Sequence, residues 1–248
     1  MEIFDNIFRR NRLIHPADLS QVGTDMHSHL IPGIDDGSKN IRESYELIRR
    51  LMDMGYDNFV TSPHVMSDFY RNSSDTILKG ADQVREYFSN KGIDLKLHAA
   101  AEYFCDEYFD NLIEQKDILT FGNNLVLFEL PFMQAPSNFN ATLFNLQMGG
   151  YKPILAHPER YMYWHDQFDM YQSLVDKDIC LQVNINSFAG AYGPQVKRMA
   201  EKLVDHNLVT YLGTDCHNHN QIDTIEISRR SPSLHKLIAS GMLLNKSI

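Results

Sequence analysis

The stretch Asp25-Met26-His27-Ser28-His29-Leu30-Ile31-Pro32-Gly33-Ile34-Asp35-Asp36-Gly37 is the part of the 248-residue sequence around which the predicted fold is built. On a short strand, histidines at i and i+2 place both imidazoles on the same side of the backbone. Two imidazoles in one space make a poor apolar core but a good metal site. The Pro-Gly and Asp-Gly pairs indicate turns. We therefore expect a strand to end at the histidines, with Asp35 and Asp36 folding back over them.

Strand-like apolar runs alternate with helix-like segments along the rest of the chain. The candidate strands are residues 22–27, 59–62, 95–101, 125–130, 153–156, 180–186 and 209–213. The candidate helices are residues 41–54, 73–90, 106–115, 139–148, 169–176 and 194–206. This alternation, without a Ser/Gly/Pro-rich linker, predicts an α/β protein with a single parallel (β/α)7 barrel over residues 21–248. A short apolar stripe at residues 3–8 makes residues 1–20 an N-terminal extension, which we expect to form a short docking helix.

Six of the seven candidate strands end in an imidazole or a carboxylate. These residues are His27, His29, His64, Glu102, Glu129, His157, Asp215 and His217. In α/β barrels the C-terminal ends of the strands carry the chemistry, so we expect these side chains to converge at that rim with Asp36. Buried charges of this kind need each other or a metal. Nitrogen and oxygen ligands suit manganese, iron or zinc, and carboxylates can bridge two ions. Taken singly, each of these residues could instead be a strand-end cap or a hydrogen-bonded core residue.

Arg160 directly follows the strand that ends at His157, and a guanidinium fork beside a cationic site suits an incoming phosphate. Aromatic residues occupy the same loop at 161–164 and the loop after His64 at 69–70. Rings over the mouth of a phosphate site would suit a flat aromatic leaving group, although these loops could equally pack on the barrel rim. We expect His98, one pleat deeper than Glu102, to be a core histidine.

The composition excludes several classes of function. A net charge of −9 argues against nucleic-acid or anionic-membrane binding. The sequence has no run of about 18 apolar residues and no visible secretory signal, and its three cysteines fit free thiols, so we expect a cytoplasmic protein that is not integral to the membrane. No cysteine begins a Cys-x5-Arg phosphate-binding loop, because Asn111, Asn186 and Ile222 stand six residues after the three cysteines. Chemistry that depends on such a loop is excluded.

A set of motifs in order along the chain carries a family resemblance. They are Asp-Met-His-Ser-His-Leu at 25–30 with Asp-Asp-Gly-Ser at 35–38, Thr-Ser-Pro-His at 61–64, Ala-Ala-Glu-Tyr at 100–103, Phe-Glu-Leu at 128–130, Ala-His-Pro-Glu-Arg-Tyr at 156–161, Gln-Val-Asn at 182–184 and Gly-Thr-Asp-Cys-His-Asn at 213–218. Together they resemble the polymerase-and-histidinol-phosphatase (PHP) superfamily. Within it, the chain is most similar to the bacterial metal-dependent protein-tyrosine phosphatases that act with capsule or exopolysaccharide tyrosine kinases.

The resemblance implies a distorted seven-stranded barrel that holds three divalent metal ions, usually manganese, with iron, zinc or magnesium as other candidates. It implies one ion on His27, His29, Glu102 and Asp215; a second on Glu102, Glu129 and His157; and a third on Asp36, His64 and His217. Arg160 would bind the phosphate, and Asp36 or His217 would assist proton transfer, as could His64. Metal-activated water would attack phosphorus in line. The implied partner is a phosphotyrosine-bearing protein, such as the tail of a tyrosine kinase.

Two other functions stay open at this stage. One is a PHP-type phosphatase of a small metabolite such as histidinol phosphate. The other is a non-catalytic interaction module stabilised by metal. The sequence also leaves open the oligomeric state, and whether Arg229 or Arg230 replaces an arginine that some relatives carry after the last motif.

Overall fold

The computed structural model describes residues 15–248. The docking helix predicted at residues 3–8 lies outside the described residues, and the division at residue 20 stays a prediction. The strands are β1 Thr24–Asp25, β2 Asn58–Thr61, β3 His64–Val65, β4 Leu97–Ala99, β5 Glu102–Phe104, β6 Leu125–Glu129, β7 Lys152–Ala156, β8 Cys180–Asn184 and β9 Tyr211–Gly213. The helices are α1 Ile41–Asp53, α2 Ser74–Ser89, α3 Glu107–Gln115, α4 Phe139–Met148, α5 Asp169–Val175, α6 Pro194–Asp205, α7 His219–Ser228 and α8 Pro232–Ala239.

All strand pairs in the two sheets are parallel, which confirms the predicted class. One sheet has the order β1-β2-β4 and the other β3-β5-β6-β7-β8-β9. The strands predicted at 59–62 and 95–101 appear as β2 and β4, and two further short strands were not predicted: β3 follows a break at Ser62-Pro63, and β5 follows a break at Ala100-Ala101. Hydrogen bonds from Ala100 N to Thr61 O (2.9 Å) and from Glu102 N to Pro63 O (3.0 Å) continue the pairing across both breaks. The two sheets are therefore linked by backbone hydrogen bonds at the breaks and form one continuous arrangement of parallel strands.

The first and last strands also meet, just beyond their ends. Asp215 N donates to His27 O (2.8 Å), and His29 N donates to Cys216 O (3.0 Å). Ser28 and Cys216 form an isolated parallel bridge. These few contacts stand in place of regular strand pairing between β1 and β9. Both segments carry residues of the site at this point.

The helices cover the outside of the sheets. In α1, Asn40 caps the N-terminus by accepting from Glu43 N (3.0 Å), and Leu47, Ile48 and Leu51 form its buried face. The six predicted helices agree with the structure to within one residue at each end. Helices α7 and α8 were not predicted. Within residues 15–248, no helix is both long and apolar enough to cross a membrane.

The prediction that His98 is a core residue is wrong. Its side chain is exposed, whereas the neighbouring Leu97 is buried. The break at Ala100-Ala101 interrupts the two-residue alternation, so His98 and Glu102 do not share a face.

Candidate metal centre

The nine side chains predicted as metal ligands lie together at the C-terminal ends of the strands. Most of them form three groups, each with donor atoms within 4.8 Å of one another. The groups are His27, His29, Glu102 and Asp215; His29, Asp36, His64 and His217; and His64, Glu102 and Glu129. The ninth side chain, His157, places Nε2 2.9 Å from Glu102 Oε1 and 3.8 Å from Glu129 Oε2.

The two histidines after β1 point their Nε2 atoms at each other, 3.4 Å apart. His27 Nδ1 lies 2.8 Å from Gln182 Oε1, and His29 Nδ1 lies 2.7 Å from Asp35 Oδ2. Since both oxygens accept hydrogen bonds, each Nδ1 carries a proton, and a metal ion that displaces any proton from the Nε2 atoms would meet two inward-facing lone pairs.

Two carboxylates complete this buried group. Glu102 Oε2 lies 3.3 Å from His27 Nε2 and 3.4 Å from His29 Nε2. Asp215 Oδ1 lies 3.4 Å from both of the same nitrogens. All four side chains are at most 5% exposed. Among the described residues, the buried atoms Glu102 Oε2 and His64 Nδ1, which lie 3.1 Å apart, have no hydrogen-bond partner. Unsatisfied lone pairs that converge in a buried space fit a divalent metal ion.

The outer part of the centre is more accessible. Asp36 is 54% exposed, with Oδ1 3.6 Å from His64 Nε2 and 3.5 Å from His217 Nε2. His217 Nδ1 donates to Asp215 O (2.9 Å), which leaves its Nε2 as the free donor atom toward Asp36. On the inner side, His64 Nδ1 lies 3.1 Å from Glu102 Oε2 and 3.2 Å from Glu129 Oε1.

Local backbone conformation aims two of these side chains. His157 and Asp215 have φ values of +34° and +50°, a region that non-glycine residues seldom occupy. Such strain persists only where the surrounding structure determines it, and it is common at functional sites. Gly213 supplies space nearby, because a Cβ there would lie 2.7 Å from His27 Cβ and from Gln182 Nε2.

The charges of the centre favour a bound cation. Although burial opposes the charged form, the carboxylates of Glu102 and Asp215 raise the pKa of His27 to about 9. Burial raises the pKa of Asp35, but the neighbouring His29 outweighs it and lowers that pKa to about 2. Histidines beside ionised, buried carboxylates hold their protons tightly. A metal ion that binds to the same nitrogens would replace those protons.

Arg160 lies beside this centre, on the turn after β7. Its Nη1 is 3.4 Å from Asp215 Oδ2, and its side chain is 24% exposed. The preceding residue, Glu159, is buried and fixes the turn, because its Oε1 accepts from Asn184 N (2.9 Å) and Ser187 Oγ (2.6 Å). Arg160 lines an open pocket of about 440 Å³ with Asp36, His64, Met66, Phe69, Tyr70, Glu102, Phe104, Glu129, Phe132, His157, Tyr192, Asp215, His217, Asn218 and Gln221.

Of the two alternatives left open for residues 161–164, packing against the rim is the one observed for Tyr161 and Trp164. Both are buried, and the Tyr161 hydroxyl accepts from Leu130 N (2.9 Å) and donates to Ala156 O (3.0 Å). These rings pack under the rim. The other predicted loop does line the pocket, through Phe69 and through Tyr70, whose ring stacks near His64 (5.6 Å, 14°).

Several residues of the site were not predicted as functional. Gln182 and Asn184 orient ligand side chains, since Asn184 Nδ2 donates to Asp215 Oδ2 (2.6 Å). The signal was their i, i+2 spacing within an otherwise apolar strand. Phe132 and Tyr192, beside Arg160, have no comparable signal. Arg229 bonds Ala17 O through Nε (2.7 Å) and does not line the pocket.

A sequence profile described as "Capsular polysaccharide synthesis, CpsB/CapC" matches residues 23–240. The chain belongs to the CpsB/CapC family. The match covers every residue of the centre.

Named relatives of this CpsB/CapC chain are similar over most of their length. The tyrosine-protein phosphatase YwqE of Bacillus subtilis is 28% identical, over 78% of this chain and 77% of YwqE. The tyrosine-protein phosphatase CpsB of Streptococcus pneumoniae is 27% identical, over 78% of this chain and 82% of CpsB.

Solved structures agree with the fold. A structure from a study of YwqE and CpsB, described as "unique metal-dependent tyrosine phosphatases", has a TM-score of 0.77 at 25% identity and covers 90% of this chain and 94% of its own. Histidinol phosphate phosphatase of Lactococcus lactis, solved with zinc, has a TM-score of 0.55 at 13% identity and covers 89% and 93%. The PHP-type fold predicted from the sequence is confirmed.

Proposed function

We propose that this chain is a metal-dependent phosphoric monoester hydrolase that removes phosphate from phosphotyrosine in proteins. The observation that carries the proposal is the pair of Nε2 lone pairs on His27 and His29, which face each other and two carboxylates beside Arg160. That arrangement joins a cation site to a phosphate-binding group. The two named relatives supply the substrate class, since both are called tyrosine-protein phosphatases.

The proposed centre holds three divalent ions, with manganese as the preferred metal and iron, zinc or magnesium as alternatives. His27, His29, Glu102 and Asp215 would hold one ion; Glu102, Glu129 and His157 a second; and Asp36, His64 and His217 a third. The first set matches the most buried group of donor atoms. Such ions, when bound, make a water molecule acidic enough to act as a nucleophile near neutral pH.

The chain's own residues would orient the substrate and manage charge. Arg160 would bind the phosphate oxygens through the N–H groups that Asp215 does not occupy, and so offset negative charge as it moves to the leaving oxygen. Asp36 and His217 lie at the exposed side of the centre, where either could assist the return of a proton to that oxygen through a bound water. Tyrosine needs little such help, because its phenolate is a fair leaving group with a pKa of about 10.

The proposed substrate is a phosphotyrosine-bearing protein, with the tail of a bacterial tyrosine kinase that controls polysaccharide synthesis as the specific candidate. The pocket is open and its rim carries the exposed rings of Phe69 (77% exposed) and Phe132 (44% exposed). An open mouth with apolar walls suits a side chain presented on a peptide. We place the reaction in the cytoplasm, where such a tail would lie.

The experiment is phosphate release from a phosphotyrosine peptide, with manganese or with a chelator. We compare the wild type with His157→Ala, and with His98→Ala as a matched control, because His98 is an exposed strand histidine outside the centre. Manganese-dependent release that His157→Ala loses and His98→Ala keeps supports the proposal.

Two other outcomes would replace it. Metal-loaded protein that leaves the peptide intact but hydrolyses histidinol phosphate would be a small-metabolite phosphatase. Metal-loaded protein that hydrolyses neither compound would be a non-catalytic module.

A further inference from the structure

The guanidinium of Arg160 lies against two aromatic rings from different loops. Its Cζ is 4.5 Å from the ring centre of Phe132 and 4.4 Å from that of Tyr192. Phe132 follows β6, Arg160 follows β7, and Tyr192 comes after β8. These three strands are neighbours in one sheet, so parallel pairing brings their C-terminal loops together. We call Phe132 and Tyr192 the aromatic pair.

The charged partner of Arg160 does not by itself fix the guanidinium. Asp215 Oδ2 is 3.4 Å from Nη1, and the same oxygen already accepts from Asn184 Nδ2 at 2.6 Å. The other oxygen of Asp215 faces His27 and His29. A long contact to a shared carboxylate restrains one nitrogen of a side chain that has several rotatable bonds. The plane of the guanidinium needs a further restraint.

The aromatic pair has the right properties to supply it. Arginine stacks on aromatic faces, and the attraction grows as the charge is desolvated. The Tyr192 hydroxyl accepts from Asn184 Nδ2 (3.4 Å), which ties this ring to the residue that holds Asp215. Phe132 also stacks near the His157 ring, at 5.8 Å and 28°. Both rings therefore contact residues of the metal centre as well as the arginine.

We propose that Phe132 and Tyr192 are positioning residues that hold the Arg160 guanidinium in the orientation in which it binds a phosphate group. The inference rests on the proposed function for the phosphate ester, but its core claim concerns phosphate binding. A guanidinium already held in place loses less conformational freedom when the anion arrives, so the pair increases phosphate affinity. The aromatic character of both positions is the requirement; the tyrosine hydroxyl is secondary.

The test measures binding of inorganic phosphate to manganese-loaded protein by isothermal titration calorimetry, with metal content checked for every variant. We expect Phe132→Leu and Tyr192→Leu to weaken phosphate binding about 5- to 30-fold. Phe132→Tyr and Tyr192→Phe keep an aromatic ring and should stay within about 2-fold of the wild type. Phe144→Leu is the matched control, since Phe144 is an exposed ring on α4 outside the pocket and should have no effect.

A double-mutant cycle separates action through Arg160 from direct contact with substrate. If the pair acts through the arginine, Phe132→Leu should cost little further phosphate affinity in an Arg160→Lys background. In hydrolysis of a phosphotyrosine peptide, the expected change is mainly in KM rather than kcat.

Three results would overturn the inference: unchanged phosphate binding in both leucine variants, full additivity with Arg160→Lys, or loss of bound metal in either leucine variant. The proposed function fails separately. If phosphate binding depends on the aromatic pair but the protein hydrolyses no phosphotyrosine, this inference stands and the proposed function is rejected.

Discussion

His27 and His29 present their Nε2 atoms to each other at 3.4 Å while Gln182 and Asp35 hold their Nδ1 atoms from outside. The two outer acceptors fix the tautomer of each ring, and the inward lone pairs follow from it. The affinity for metal is thus set partly by residues that never touch the ion.

Asp35→Asn should weaken metal binding about 10- to 100-fold, because the amide replaces a charged acceptor of His29 Nδ1 with a neutral one. The measurement is a competition titration with a fluorescent chelator. Asp57→Asn is the control, since Asp57 is 72% exposed and pairs only loosely with Lys96 (3.9 Å). Equal metal affinity in the two variants would contradict this account of His29.

Asp36→Ala should release the outermost ion and leave the deeper ones in place. Asp36 is 54% exposed, whereas the donors of the innermost group are at most 5% exposed. Metal content measured by mass spectrometry should fall by about one ion per chain, as expected when a ligand of one site is removed. Asp68→Ala, on the exposed loop after β3, should retain the full content. Loss of all metal from Asp36→Ala would show that the sites are not separable.

Metal-free protein should lose stability as the pH rises from 6.5 to about 9. Burial opposes protonation of His27, but Glu102 and Asp215 raise its folded-state pKa from 6.5 to about 9. A raised folded-state pKa stabilises the folded protein fully below pH 6.5, and that contribution is lost as the pH rises through 9. Thermal unfolding of chelator-treated protein at three pH values tests this.

Added manganese should remove this trend, because the ion takes the place of the protons. A melting temperature of the metal-free protein that increases over the same pH range would contradict the prediction.

Iodoacetamide should leave the activity unchanged. Burial raises the pKa of Cys105 to about 12, and it also raises the pKa of Cys180 and of Cys216. Cys105 and Cys216 are buried and Cys180 is half-buried. A protonated, shielded thiol is a poor nucleophile, so the reagent should modify the folded protein slowly. The measurement is residual phosphatase activity beside mass-spectrometric labelling, with unfolded protein as the positive control. Activity lost in proportion to labelling of one cysteine would revive a thiol mechanism.

Residues that break an apolar pattern made the site predictable from sequence. Glu129 ends β6 and His157 directly follows β7, each after a run of apolar residues, and parallel strands bring such ends together. The bounds of β7 were predictable for the same reason, since it begins one residue earlier than expected, whereas the strands predicted at 22–27 and 95–101 are each shorter by two residues at both ends.

Features that depend on loop conformation could not be predicted. Phe132 and Tyr192 reach Arg160 because neighbouring loops pack together, and nothing in their local sequence records that contact. Trp164 shows the converse, since an aromatic residue beside a functional arginine turned out to be core. The two-residue strand β3, which follows the break at Pro63, was also not predicted.

Asp215 gives its two oxygens to different neighbours. Oδ1 faces the imidazoles of His27 and His29, and Oδ2 holds Arg160 and Asn184. One carboxylate therefore links a proposed cofactor to a proposed substrate contact, and linked equilibria are reciprocal. If bound metal increases the affinity for phosphate by some factor, bound phosphate must increase the affinity for metal by the same factor. When metal is scarce, copies of the protein with a phosphate group bound would therefore retain their metal ions better than empty copies.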